Sequence, residues 1–66
     1  MSISYNKLWK IMIDKKMKKG ELKELTGIGF STIAKLNRDE YVSMEVLVKI
    51  CNALNCNIGD IVEIIR

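Results

Sequence analysis

A protein site needs one of a few things to do chemistry: a nucleophile with a base beside it, a set of metal ligands, a phosphate-cradling glycine loop, or charges gathered for a charged partner. This chain of 66 residues offers only the last. It has no histidine, and its two cysteines, Cys51 and Cys56, lack a CxxC spacing. A zinc site therefore lacks ligands, and a disulfide framework has no support. Cys51 reads as a small core residue and Cys56 as one at a helix end. Glu21 and Glu24 read as solvated charges on a helix surface. No catalytic residue, metal or cofactor is expected, and the chain is read as not an enzyme. What is gathered is positive charge. Residues 1–38 carry nine Lys or Arg against three Asp or Glu, a net of +6; residues 39–66 carry two against five, a net of −3. Such a division on a small protein suggests a basic face aimed at a polyanion. Equally, Lys15, Lys16, Lys18, Lys19 and Lys23 could simply solvate a helical hairpin.

The stretch that must position those charges is Gly20 to Leu36, GELKELTGIGFSTIAKL. It reads as two short helices joined by a tight turn. Leu22 and Leu25 supply an apolar side to the first, Ile33 and Leu36 to the second. Gly27 stands where the first must stop, since glycine takes the left-handed conformation at little cost, and Ile28 follows as a buried plug. Gly29, Ser31 and Thr32 open the second, with Gly29 a tolerable cap. A helix, a short turn with glycine and another helix can place the second helix in the major groove of DNA.

Around that pair the spacing predicts three more helices. Ser4 or Asn6 caps one running to about Lys16, with Tyr5, Leu8, Trp9 and Met12 on one face and Ile11 and Ile13 on its flanks. Met17 packs inward after it. The helix opened near Lys19 and the one ending near Asn37 form the tight pair, followed by a polar connection through Tyr41. Ser43 caps a fourth helix with Glu45 in its first turn and a stripe of Leu47, Ile50, Cys51 and Leu54, flanked by Met44 and Val48. Asn55 ends it at a left-handed position. Asn57 or Ile58 then opens a fifth helix, with Ile58, Ile61, Val62 and Ile65 inward and Ile64 elsewhere. Residues 1–66 are thus expected to form a single all-α domain with one small core. No apolar run approaches the roughly 18 residues of a membrane span, and no signal peptide is visible. A soluble cytoplasmic protein without membrane contact is the expectation.

Five short helices with the second and third as the tight pair resemble the lambda-repressor-like DNA-binding domains, the Cro/C1 or Xre group of bacterial and phage regulators. Leu22, Gly27, Ile28, Ile33 and Leu36 carry the likeness within the pair. VSMEVLVKICNALNCNIGDIVEII looks like that group's fourth and fifth helices, so the likeness covers roughly Leu8 to Ile65. There are three departures. Lys19 stands where glutamine often holds a phosphate, Lys23 where many members have alanine, and Met12 where an arginine is common. The first keeps a phosphate ligand, the second obliges a lysine stem to bend outward, and the third removes a charge contact.

The resemblance implies that the third helix faces base edges, through Phe30, Ser31, Thr32 and Lys35. Phe30 suits a thymine methyl, Ser31 can donate or accept, and Lys35 can reach guanine O6 and N7. Core packing is the alternative for Phe30, and a solvated side chain for Lys35. Phosphates would be held by Lys18, Lys19 and Gly20 at the start of the second helix, and by Asn37 and Arg38 beyond the third. Asp39 and Glu40 should point away from the duplex. The partner implied is double-stranded DNA, bound sequence-specifically by a transcriptional regulator, most simply a repressor. One such helix reads few base pairs, so a homodimer is expected, with Ile64 the first candidate for its interface and Ile11 and Ile13 weaker ones. The rival reading is an antitoxin-like or adaptor module whose surplus apolar surface grips another protein.

Overall fold

The computed structural model describes residues 2–66, in the order β1 (Ser2–Ser4), α1 (Asn6–Asp14), α2 (Lys19–Thr26), α3 (Phe30–Asn37), α4 (Met44–Leu54), a 3-10 turn (Ile58–Asp60) and β2 (Glu63–Ile65). Each α-helix ends on a left-handed residue, and three of these are not glycine. Lys16, Asp39 and Asn55 have φ of 55°, 55° and 54°, and Gly27 has φ of 73°. Past each of the first three, the next amide reaches back to the helix. Met17 donates to the Met12 carbonyl at 2.8 Å, Glu40 to Lys35 at 2.9 Å and Cys56 to Cys51 at 3.0 Å. This closure satisfies carbonyls that the helix end would otherwise orphan, and it draws the residue after the turn back towards the fold. Met17 and Cys56 pack against the core for that reason.

Helical spacing then decides what is buried. Tyr5, Leu8 and Met12 of the α1 segment, Leu22 of α2, Ile33 and Leu36 of α3, and Leu47, Ile50, Cys51 and Leu54 of α4 form one cluster closed by Ile28 and Ile61. α4 is held at its start by the Ser43 hydroxyl, which accepts from the Val46 amide at 3.2 Å. α2 packs on α4, and neither Leu22 nor Ile50 has any exposed surface. Truncating either to alanine costs roughly 2–5 kcal/mol, a large fraction of the stability of a domain this size. Leu25, expected beside Leu22, is instead 61% exposed; with α2 bearing on α4 through Leu22, its next turn rolls away from the core.

The fifth helix does not form. Residues 58–60 make a single 3-10 turn, held by the Asn57 amide donating to Asp60 Oδ2 at 2.9 Å, and the chain then extends as β2. β2 pairs antiparallel with β1, matching Ser2 to Ile65, Ile3 to Ile64 and Ser4 to Glu63. Among the described residues the fold is therefore four helices with a two-stranded ribbon pairing Ser2–Ser4 with Glu63–Ile65. Gly59 weakens a helix there, and Ile61, Val62, Ile64 and Ile65 are all β-branched, which favours strand once a partner strand is available. Of the four residues expected to face inward only Ile61 is fully buried, whereas Ile58 and Ile65 are exposed. α1 is also shorter than expected, because Lys16 turns left-handed. Tyr5, not Ser4 or Asn6, stands at its N-cap and gives no side-chain cap, while the Ser4 hydroxyl of β1 accepts from the first helical amide, that of Asn6, at 3.2 Å.

Candidate nucleic-acid interface

The α2–α3 turn is built from three residues. The Gly27 amide donates to the Lys23 carbonyl at 2.8 Å, ending α2. The Thr26 hydroxyl donates to the Leu22 carbonyl at 2.7 Å and accepts from the Ile28 amide at 3.3 Å, so the turn is pinned and Ile28 is driven into the core. The Gly29 carbonyl then accepts from the Thr32 and Ile33 amides, starting α3 at Phe30. With Ile33 and Leu36 turned inward, helical geometry turns Ser31 and Lys35 outward. Phe30, Ser31 and Lys35 are exposed and Thr32 is half-buried. Phe30 is 67% exposed and is therefore no core residue. The Lys23 ammonium lies 4.9 Å from the Phe30 ring centroid. Lys23 thus leaves the helix crossing, as its length requires, and comes to rest on the aromatic ring.

The residues expected to hold phosphate gather at two points. At the start of α2 the Lys18 amide donates to Glu21 Oε1 at 3.1 Å, while the Lys19 and Gly20 amides lie in the first helical turn, where the helix supplies no acceptor. Lys19 sits with its ammonium 4.6 Å above the Trp9 ring, and that ammonium donates to Asn37 Oδ1 at 2.6 Å. The start of α2 and the end of α3 therefore meet. With Asn37 Oδ1 taken by Lys19, its amide nitrogen remains as a donor. Arg38, the residue after α3, pairs instead with the Glu40 carboxylate through Nε. That hydrogen bond holds the Glu40 carboxyl below its ordinary pKa and raises that of Arg38. The two acidic residues have separate tasks. Asp39 Oδ1 accepts from the Tyr5 amide at 3.0 Å. Glu40, expected to point away from the interface, is turned towards Arg38.

The basic half of the sequence does not form one face. Lys7, Lys10 and Lys15 on and just after α1 line an open depression with Leu54, Asn55, Cys56, Gly59 and Asp60, and the Lys7 ammonium donates to the Gly59 carbonyl at 3.3 Å. Lys18, Lys19, Lys23, Lys35 and Arg38 remain around the α2–α3 unit. The apolar candidates also separate. Ile13 is 72% and Ile64 55% exposed, the latter on β2 opposite Ile3, whereas Ile11 packs against the core. Tyr41 was not singled out from the sequence, yet it is 74% exposed and shares a depression with Lys35 and Glu40. An aromatic residue in an otherwise polar connection was the available signal. Among the described residues no cluster of His, Cys, Asp or Glu could hold a metal ion, and no helix is long and apolar enough to cross a membrane.

Comparison with known proteins agrees with this geometry. Residues 7–66 match the Cro/C1-type HTH DNA-binding domain family. No curated protein matches the chain. Among solved structures, the crystal structure of the transcriptional regulator VanUg, Form II, is similar at 58% sequence identity with a TM-score of 0.90, over 94% of this chain and 83% of that one. With the family match spanning nearly the whole chain and the α2–α3 unit in place, the chain belongs to the Cro/C1-type helix-turn-helix DNA-binding domain family.

Proposed function

We propose that this protein is a transcriptional regulator, most simply a repressor, that occupies operator DNA as a homodimer. The observation that carries the reading is the exposed side of α3, which presents Phe30, Ser31 and Lys35 while Ile33 and Leu36 anchor the helix. Lys35 reads guanine, Phe30 meets a thymine methyl, and Ser31 and Thr32 complete the base contacts. Lys18, Lys19, Gly20, Asn37 and Arg38 grip phosphates where the start of α2 meets the end of α3, and fix the register. The similar VanUg structure is titled a transcriptional regulator, which supports the same role here.

Two copies related by a two-fold would set their third helices about 34 Å apart, one turn of duplex. Ile64 on the exposed ribbon supports pairing there, with Ile13 a weaker contributor and Ile11 weaker still. Titration of the protein onto duplex DNA at increasing salt tests the reading. About four to six phosphate contacts predict a slope of log K against log salt near −4 to −5. A flat response removes the phosphate contacts. One further observation favours a protein-interaction module: Trp9, Met12, Ile13 and Met17, bordered by Lys18 and Lys19, line a largely apolar depression of about 450 Å³. Absence of any shift with duplex at low salt would favour it.

A further inference from the structure

Glu40 is more firmly placed than a loop carboxylate ordinarily is. Its amide donates to the Lys35 carbonyl at 2.9 Å, closing the end of α3. Its carbonyl accepts from the hydroxyl of Tyr5 at 2.8 Å, and the Tyr5 side chain is 1% exposed. The backbone is thus fixed on both sides, by the helix it follows and by a ring rooted in the core. The side chain that projects from this fixed point bonds Arg38 Nε and lies in the same depression as Lys35.

A carboxylate on a guanidinium occupies the kind of donor position a phosphate oxygen would take. We infer that Glu40 is an affinity-setting residue of the DNA interface, an internal anion that occupies Arg38 Nε and offsets the charge the guanidinium would otherwise offer to a DNA phosphate. The inference rests on the reading of Arg38 as a phosphate contact and adds a second residue to it. Glu40 lowers affinity for any duplex, because the phosphate contact it opposes is independent of sequence. Lys35, Arg38 and Glu40 then form one electrostatic unit at the end of α3. Exposed ion pairs alter equilibria by up to a factor of about five, which sets the scale of the effect.

The test uses the full chain and a labelled duplex of random sequence, with anisotropy titrations at low salt. Four proteins are compared: wild type, Glu40→Gln, Arg38→Ala and the double variant. Glu45→Gln, which removes the same charge from a site paired with Lys49 on α4, is the control for net charge. Glutamine leaves both backbone bonds of residue 40 in place, and thermal melts check folding. The expected result is about two- to fivefold tighter binding for Glu40→Gln, with a salt slope steeper by about one. That gain should be absent when Arg38 is already alanine, and clearly smaller for Glu45→Gln. An equal gain from Glu45→Gln, or a gain that persists without Arg38, would overturn the inference. Weaker binding by Arg38→Ala with no gain from Glu40→Gln would overturn it alone and leave the phosphate contact standing. No change in Arg38→Ala would remove the phosphate contact and the inference with it.

Discussion

Replacing Phe30 with alanine separates a reading surface from a core. Burying a whole phenylalanine side chain is worth about 2–3 kcal/mol. Phe30 is 67% exposed, so about a third of that, under 1 kcal/mol, is at stake. Loss of the Lys23 contact 4.9 Å from the ring centroid adds about 0.5 kcal/mol at an exposed site. Alanine is the better helix former by roughly 0.5 kcal/mol, which offsets that loss. The net cost is about 1 kcal/mol or less, a fall in Tm of at most about 8 °C for a domain of this size. Ile33, three residues on and 4% exposed, should cost about 2–5 kcal/mol as alanine. Thermal melts followed by circular dichroism, with duplex titrations on the same samples, check both halves. Phe30→Ala should fold and lose affinity for the preferred site, whereas Ile33→Ala should largely unfold. Unfolding of Phe30→Ala to the extent of Ile33→Ala would refute the surface assignment. Unaltered affinity for every duplex would refute the base contact.

Other outcomes follow from the same geometry. Lys35→Ala should lose about 1–3 kcal/mol on the best site and little on random DNA, while Lys19→Ala should weaken both alike and make the salt slope shallower by about one; competition titrations distinguish them. Lys16→Gly should raise stability by about 0.5–1 kcal/mol, because the left-handed conformation at φ 55° costs lysine more than glycine; a denaturant melt reads this. Burial, then Asp39, raises the Tyr5 hydroxyl pKa, and burial, then Cys56, raises that of the Cys51 thiol. Both groups stay protonated in the fold at pH values where the unfolded chain ionises, so their stabilisation is complete below the ordinary value of 9.0 for Cys51 and of 10.0 for Tyr5. It is lost as pH rises through the higher folded values. Melts in rising alkali should show that decline, and Tyr5→Phe should remove its part.

Three helix boundaries were legible because they rest on single residues. Gly27, Ser43 and Asn55 each act within a few residues of themselves, and each stands where its type predicts. The ribbon was not legible, since Ile58, Ile61, Val62 and Ile65 satisfy a helical spacing and a strand composition at once. What decides between them is Ser2–Ser4 at the other end of the chain, a pairing no local pattern reveals. The pairing of Glu40 with Arg38 was not legible for a similar reason. The sign of Glu40 alone sends it away from DNA, but the Tyr5 hydroxyl, thirty-five positions earlier in the chain, fixes where it stands. At the interface, helical spacing was enough to place Ser31 and Lys35 outward. The bond between Lys19 and Asn37 depends on how α2 and α3 cross, which the sequence does not state.

The central claim is that α3 reads base sequence. Its most direct test is to select bound duplexes from a random pool, then measure affinity for the enriched sequence and for its scrambled version at one fixed salt. Specific regulators favour their sites by factors of about 10³ or more. Base readout by α3 of two paired copies predicts a two-fold symmetric site, half-sites about one helical turn apart, and a preference of about that order. No enriched sequence, or equal affinity for the selected and scrambled duplexes, would contradict it.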